Sequence, residues 1–308
     1  MTTQKSRRRT DRRTRLTVWI ALSANLVIAA AKAVGGLVAA SPALLSEAAH
    51  SVADTLNEVF LLAALRRSRR PADRRHPFGY GKERWFWSLL AAVVIFVMGG
   101  CFSFFQGYQA LAGQYGEPTS AYVAGLAVLG VALLADGSSL LRALYQRRAR
   151  RADGLDPALR TVIAEDSAGV IGVLIAMAGM SLHLATGEVE WEAAASFGIG
   201  LLLVYVAFRL GRDAREQLIG EAVDPVLARR IRELLAAQPE IHNVAALLTM
   251  RLGMDSALVA ARVDLVPGLD SEEVEIVCER IKRAVRRNWP EADQVFLDIT
   301  EAPVDDEE

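Results

Sequence analysis

Residues 44–65 read LLSEAAHSVADTLNEVFLLAAL. A run of this length and apolarity can cross a bilayer, which takes about 20 residues of helix, yet His50, Asp54, Asn57 and Glu58 sit in its middle. On a helix of 3.6 residues per turn His50 and Asp54 point the same way, and Asn57 extends that stripe. An ionisable group at the bilayer centre costs about 2.5–3.5 kcal/mol on insertion scales, so the stripe is expected to face the interior of a helix bundle and to be functional. Imidazole and carboxylate at this spacing offer one nitrogen and one or two oxygens to a divalent cation. The same pair can relay protons, or can simply join helices through a His–Asp hydrogen bond.

The 308 residues around this stretch are 52% hydrophobic and 23% charged, with a mean hydropathy of +0.24. Such a combination requires the two kinds of residue to be segregated. Nearly all long apolar runs precede residue 212, and a charge-rich tail follows. Spanning-length runs fall at about 16–39, 44–65, 85–107, 121–144, 159–183 and 193–211. The N-terminus, the 66–84 link (RRSRRPADRRHPFGYGKER), the 145–160 link (YQRRARRADGLDPALR) and the segment after 211 are rich in Arg or Lys. The opposite links, ASPA (40–43), YQALAGQYGEPTS (108–120) and LATGEVEWE (184–192), contain neither. The positive-inside rule then places both termini in the cytoplasm, in agreement with six crossings. The basic start MTTQKSRRRTDRRTRL is read as a topology anchor, with a mitochondrial targeting segment as the alternative.

Net charge is −1, and no basic patch interleaved with aromatics or glycine-rich phosphate loop appears, so nucleic acid is not an expected partner. Cys101 and Cys278 form no CxxC and are read as packing residues. Among the other spans, the first carries Asn25 and Lys32, and Lys32 is expected to pair with a carboxylate of a neighbouring helix or to snorkel. Asp136 in the fourth is that partner or an acceptor behind the stripe. The fifth carries Glu165 and Asp166, which diverge by about 100° around a helix, so only one of them is expected to face the partner that His50 and Asp54 face. Alternatively the two form an interfacial charge pair at the end of the span.

The tail predicts a helix over 224–238, with Asp224 as cap and Pro225 in the first turn, and strands over 244–253 and 256–266. A helix over 271–289 capped by Ser271 and a strand over 293–302 follow. The expected order α-β-β-α-β suits a small α+β domain with both helices on one sheet face, and its size makes dimerisation plausible. The domain boundaries read as a basic cytoplasmic N-terminus (1–15), a six-span membrane domain (16–211), a cytoplasmic α+β dimerisation domain (212–302) and an acidic tail (303–308).

With ALLSEAAHSVAD, PADRRHPFGYGKER, six spans and this tail in place, the chain resembles the cation diffusion facilitator family over nearly its whole length. HSVADTLNEVFLLAAL, HPFGYGKERWFWSLLAAVVIFVMGG and EDSAGVIGVLIA look most like the branch containing the animal mitochondrial zinc exporter. The resemblance implies no enzyme and no cofactor beyond the cargo. It implies a homodimeric, multi-pass exporter that exchanges cytoplasmic Zn²⁺, or a similar ion, for protons by alternating access. The expected location is the plasma (inner) membrane. His50 and Asp54 match the family's second-span ligands and Asp166 its fifth-span aspartate, whereas Val162 stands where a further ligand is expected; Glu165, Asn57 or water would replace it. One imidazole among oxygen donors is a harder set than a two-histidine site, which opens an Mn²⁺, Fe²⁺ or Co²⁺ exporter as the alternative cargo reading. Asp73 and His76 resemble a secondary site in the loop after the second span, with Tyr80 where another His is often found. His242 has no His near it in the tail, so no regulatory metal cluster is expected there. An intramembrane metallohydrolase would need a His-rich set such as HExxH, and a membrane sensor or scaffold would leave the buried stripe without a purpose.

Overall fold

A computed structural model describes residues 22–23, 25–113, 119–149 and 157–300, which divide into two units. The first runs to Leu62 and resumes over Ser88–Arg212; the second comprises Ala63–Trp87 and the chain from Asp213 onward.

The first unit is helical. Its elements lie within α1 (Asn25–Val38), α2 (Pro42–Arg67), α3 (Glu83–Leu111), α4 (Thr119–Ala149), α5 (Pro157–Thr186) and α6 (Glu190–Ile219). Among the described residues, four helices are long and apolar enough to cross a membrane: all of α3 and α6, Ala121–Tyr145 of α4 and Ile163–Thr186 of α5. Six were expected. The first expected span is described only as the shorter apolar helix α1. The second, α2, has 26 residues, enough to span, but its polar stripe takes it out of the strongly apolar class.

Leu44, Ala53, Ile95, Leu129, Val173, Met180, Ile199 and Leu203, from five helices, form one buried cluster. Large apolar side chains also point outward: Leu37, Val131, Leu134, Leu141, Leu201 and Phe208 are all exposed. An aqueous protein does not leave a belt of this kind uncovered, whereas lipid tails cover it without cost. Cys101 belongs to that outer surface and Cys278 is half-buried, so the expectation that Cys101 packs inside is corrected: the π-helical stretch Ile95–Cys101 shifts the facing of α3. In that stretch a side chain on Gly100 would press on Val204, so glycine is what lets α3 and α6 approach closely.

The α1–α2 corner is tied to α6. Glu192, fully buried, accepts hydrogen bonds through Oε2 from the Ser41 hydroxyl at 2.7 Å and the Ala43 N–H at 3.2 Å. A carboxylate there satisfies an N–H that a helix start leaves free and meets the positive end of the helix dipole. Glu192→Leu is expected to cost about 1.5–3 kcal/mol by orphaning these charge-assisted bonds. Thermal unfolding in detergent measures it, and an unchanged midpoint would show the corner holds without this tie.

In the second unit α7 (Pro225–Ala236), β1 (Ile241–Arg251), β2 (Ala257–Leu265), α8 (Ser271–Asn288) and β3 (Gln294–Ile299) follow in that order. The sheet order is β1-β2-β3, with β1 and β2 antiparallel and β2 and β3 parallel. Leu247 opposes Ala261 and Val259 opposes Val295. The parallel pair needs a crossover, which α8 supplies. Alternate residues of β2, Ala257, Val259, Ala261 and Val263, are buried, and Val259, Ala261 and Val263 cluster with Ile231, Leu235, Ile281 and Val285 of the two helices. The opposite sheet face carries the Arg262–Asp298 ion pair at 2.9 Å. Asp224 caps α7 by accepting from the Val226 N–H at 2.7 Å. The cap of α8 is Asp270 rather than Ser271, because Asp270 and Glu273 exchange bonds as a capping box and a hydroxyl one residue later cannot close that pair. The segment joining α2 to α3 belongs to this unit: Lys82 Nζ donates to the Leu218 carbonyl at 3.4 Å, and a side chain on Gly81 would collide with the backbone of Leu252.

Candidate functional site

α2 supplies the site because its apolar positions seat it in the bundle core while its polar positions share one face. His50 is buried, 4% exposed, and neither ring nitrogen has a hydrogen-bond partner. Its Nε2 lies 3.4 Å from Asp54 Oδ2, so the expected pair forms along one helix face. A buried imidazole with both nitrogens unsatisfied is costly unless something else occupies them at some stage.

The remaining expected groups are drawn to other partners. Asn57 Nδ2 donates to Glu165 Oε1 at 3.1 Å, joining α2 to α5, and Asp166 Oδ2 accepts from the Ser139 hydroxyl of α4 at 2.9 Å. Thus Glu165 is the carboxylate on the α2 side and Asp166 turns toward α4, as the divergence of adjacent residues requires. Among the described residues no group of three or more His, Cys, Asp or Glu side chains is close enough to hold a metal ion. The groups stand as separate pairs. The Val162 side chain lies outside the described residues.

Lys32 is buried, and its Nζ donates to Glu47 Oε2 and to Ser51 Oγ, each at 2.9 Å. Its partner is therefore Glu47 and not Asp136. Asp136 instead approaches Gly169 of α5 as His50 does, since a Cβ there would lie 3.8 Å from His50 Nε2 and 3.9 Å from Asp136 Oδ2. Asn25 Nδ2 donates to Glu58 Oε1 at 2.6 Å, so α1 and α2 share a second polar contact. Glu47 is the residue sequence reasoning missed. It stands three before His50 and falls on the same face by the three-residue step that added Asn57 to the stripe.

Asp73 and His76 lie in the second unit and form a turn. Asp73 Oδ1 accepts from the Arg75 and His76 N–H groups at 2.9 and 2.7 Å, and Oδ2 accepts from the Tyr80 hydroxyl at 2.7 Å. The Tyr80 bond, then those N–H bonds, hold the Asp73 carboxyl below the usual carboxylate range, and Tyr80 is raised by the same contact. His76 Nδ1 sits 3.4 Å from Asp73 Oδ1, and its ring packs on Tyr80 at 4.3 Å. Because the folded pKa is depressed, the turn's contribution is fully present above the ordinary aspartate range and is lost as pH falls below that range through the depressed folded value. Asp73→Ala is expected to speed tryptic cleavage at Arg74 and Arg75 several-fold at neutral pH; cleavage at the parent rate would mean the backbone holds the turn alone.

Residues 18–219 match the profile of the cation efflux transmembrane domain. The chain is 30% identical over 260 residues to the mitochondrial proton-coupled zinc antiporter SLC30A9 of Xenopus laevis, covering 79% of this chain and 46% of that protein. It is 30% identical over 290 residues to metal tolerance protein C4 of Arabidopsis thaliana, 91% of this chain and 62% of that one. With the manganese efflux system protein MneP of Bacillus subtilis it shares 22% identity over 287 residues, 91% and 93% of the two chains. The chain spans about half the length of the SLC30A9 proteins it matches. A bundle of apolar helices enclosing a polar seam, matched across two thirds of the sequence to one profile, identifies the chain as a multi-pass membrane protein of the cation efflux family, a family of transporters and not of enzymes.

Proposed function

We infer that this chain exports a divalent metal cation, Zn²⁺ foremost, in exchange for protons by alternating access. The observation that carries this reading is the buried His50 imidazole with two unsatisfied nitrogens beside Asp54. Cation and proton compete for the same lone pairs: the imidazole must be neutral and the carboxylates ionised to hold a dication, so protonation from the acidic side expels the metal. In the proposed cycle His50 and Asp54 bind first. Glu165 joins when Asn57 releases it, and Asp166 contributes charge when it turns from Ser139. The pairs in the structure correspond on this reading to a state with the cation shell open. α1 and α2 complete six crossings with both termini in the cytoplasm, in the plasma (inner) membrane. The second unit serves as the homodimer contact, and Asp73 and His76 act as turn formers before metal ligands.

Zn²⁺ is supported by the imidazole and by the zinc antiporter among the relatives. Mn²⁺, Fe²⁺ or Co²⁺ is the second reading, favoured by a donor set with one nitrogen among oxygens and by the manganese efflux protein among the relatives. The deciding experiment is uptake into proteoliposomes with an acidic lumen, run in parallel for the four ions with His50→Ala as control. Zn²⁺ uptake that needs both the gradient and His50 is the expected result. Preference for another of the four would move the cargo assignment, and no uptake of any would replace transport with a metal-sensing role.

A further inference from the structure

Glu47 lies one turn from His50 on α2 and takes no part in the pairs that hold Asp54, Glu165 and Asp166. α2 and α5 meet in a definite register: Asn57 reaches Glu165, His50 stands over Gly169, and Glu47 stands over Gly172. At the last two levels α5 presents glycine to a polar side chain. A Cβ on Gly172 would collide with Glu47 Oε1, so the absent side chain is what gives this carboxylate its place in the seam. Glu47 is fully buried, and Oε1 has no hydrogen-bond partner. Its other oxygen is held by the Lys32 ammonium, which also has Ser51 Oγ as an acceptor at the same distance of 2.9 Å.

A charged carboxylate buried this deeply is costly unless a counter-charge or hydrogen-bond donors face it. Here the cation present is a tethered one with a second acceptor already in hand, and the free oxygen faces the seam that His50 also faces. Resting on the transport reading above, we propose that Glu47 is a second binding position for the divalent cation on its path, one turn beyond His50, with Lys32 as its resident counter-ion. Lys32 neutralises Glu47 when no cargo is there and stays on Ser51 when the cargo takes the carboxylate. Glu47 is thereby kept paired and dry between cycles, ready for a hard or borderline dication through oxygen.

The test is equilibrium dialysis of the full chain in detergent against Zn²⁺, Mn²⁺ and Co²⁺, each alone, paired with proteoliposome flux. The wild type is expected to bind one equivalent per protomer, lost in His50→Ala. Lys32→Met strips Glu47 of its counter-ion and is expected to bind two, with a melting midpoint that rises when that cation is added. Lys32→Met/Glu47→Gln should return to one equivalent at unchanged affinity while flux falls at least about 10-fold, the split expected when a step after binding is impaired. One equivalent in Lys32→Met, or wild-type flux in the double variant, overturns the proposal and leaves a structural ion pair. Should Lys32→Met fail to fold, the double variant decides alone by that split. A wild type that binds none of the three ions overturns the transport site itself, a separate failure.

Discussion

Asp54→Ala is expected to abolish pH-driven cation uptake while the protein folds and elutes as the wild type does. Asp54 is the carboxylate nearest His50, 3.4 Å from Nε2, and its side chain is 42% exposed, so truncation leaves no sealed cavity and no fully buried orphan charge. The expected stability cost is accordingly small, within about 1 kcal/mol. The effect on cargo is large for a different reason. Losing a residue that merely orients a metal ligand costs about 10–100-fold in affinity, so losing a ligand costs at least about 100-fold. On the transport reading proposed above the cation would also need Asp54 for charge balance, since a neutral imidazole contributes none. Uptake by Asp54→Ala at more than a tenth of the wild-type rate would remove Asp54 from the site.

Lys32→Met is expected to show the reverse pattern, a large loss of stability. Lys32 and Glu47 are 1% and 0% exposed and 2.9 Å apart. Removing one member of such a pair strands the other, at a cost of about 3–5 kcal/mol. For a domain of this size that corresponds to a fall in melting midpoint on the order of 10 °C. Lys32→Met/Glu47→Gln should regain most of it, because a neutral pair has no uncompensated charge to bury. A double variant as unstable as the single one would show that the packing of the lysine stem, rather than the charge, holds α1 on α2.

The polar stripe of α2 was legible because its members lie on one helix and follow the 3.6-residue period; His50 and Asp54 meet as that period requires. The tail elements were legible for the same local reason, with Asp224 and Pro225 opening α7 as expected. The Ser271 cap failed by one residue, since the sequence offers Asp270 and Ser271 in turn and only the reciprocal bond with Glu273 selects between them. What lay beyond reach was pairing across elements. Lys32 had several carboxylates open to it, and its choice of Glu47 depends on how far α1 sits along α2. Glu165 and Asp166 could be told to diverge, but not which would take Asn57 and which Ser139. The sequence by itself determined which residues carry charge into the apolar helices and which helix faces they occupy, because covalent spacing and helical pitch decide that. The tertiary structure alone decided who meets whom, because helix register and the glycines at 169 and 172 set which side chains come within hydrogen-bond reach.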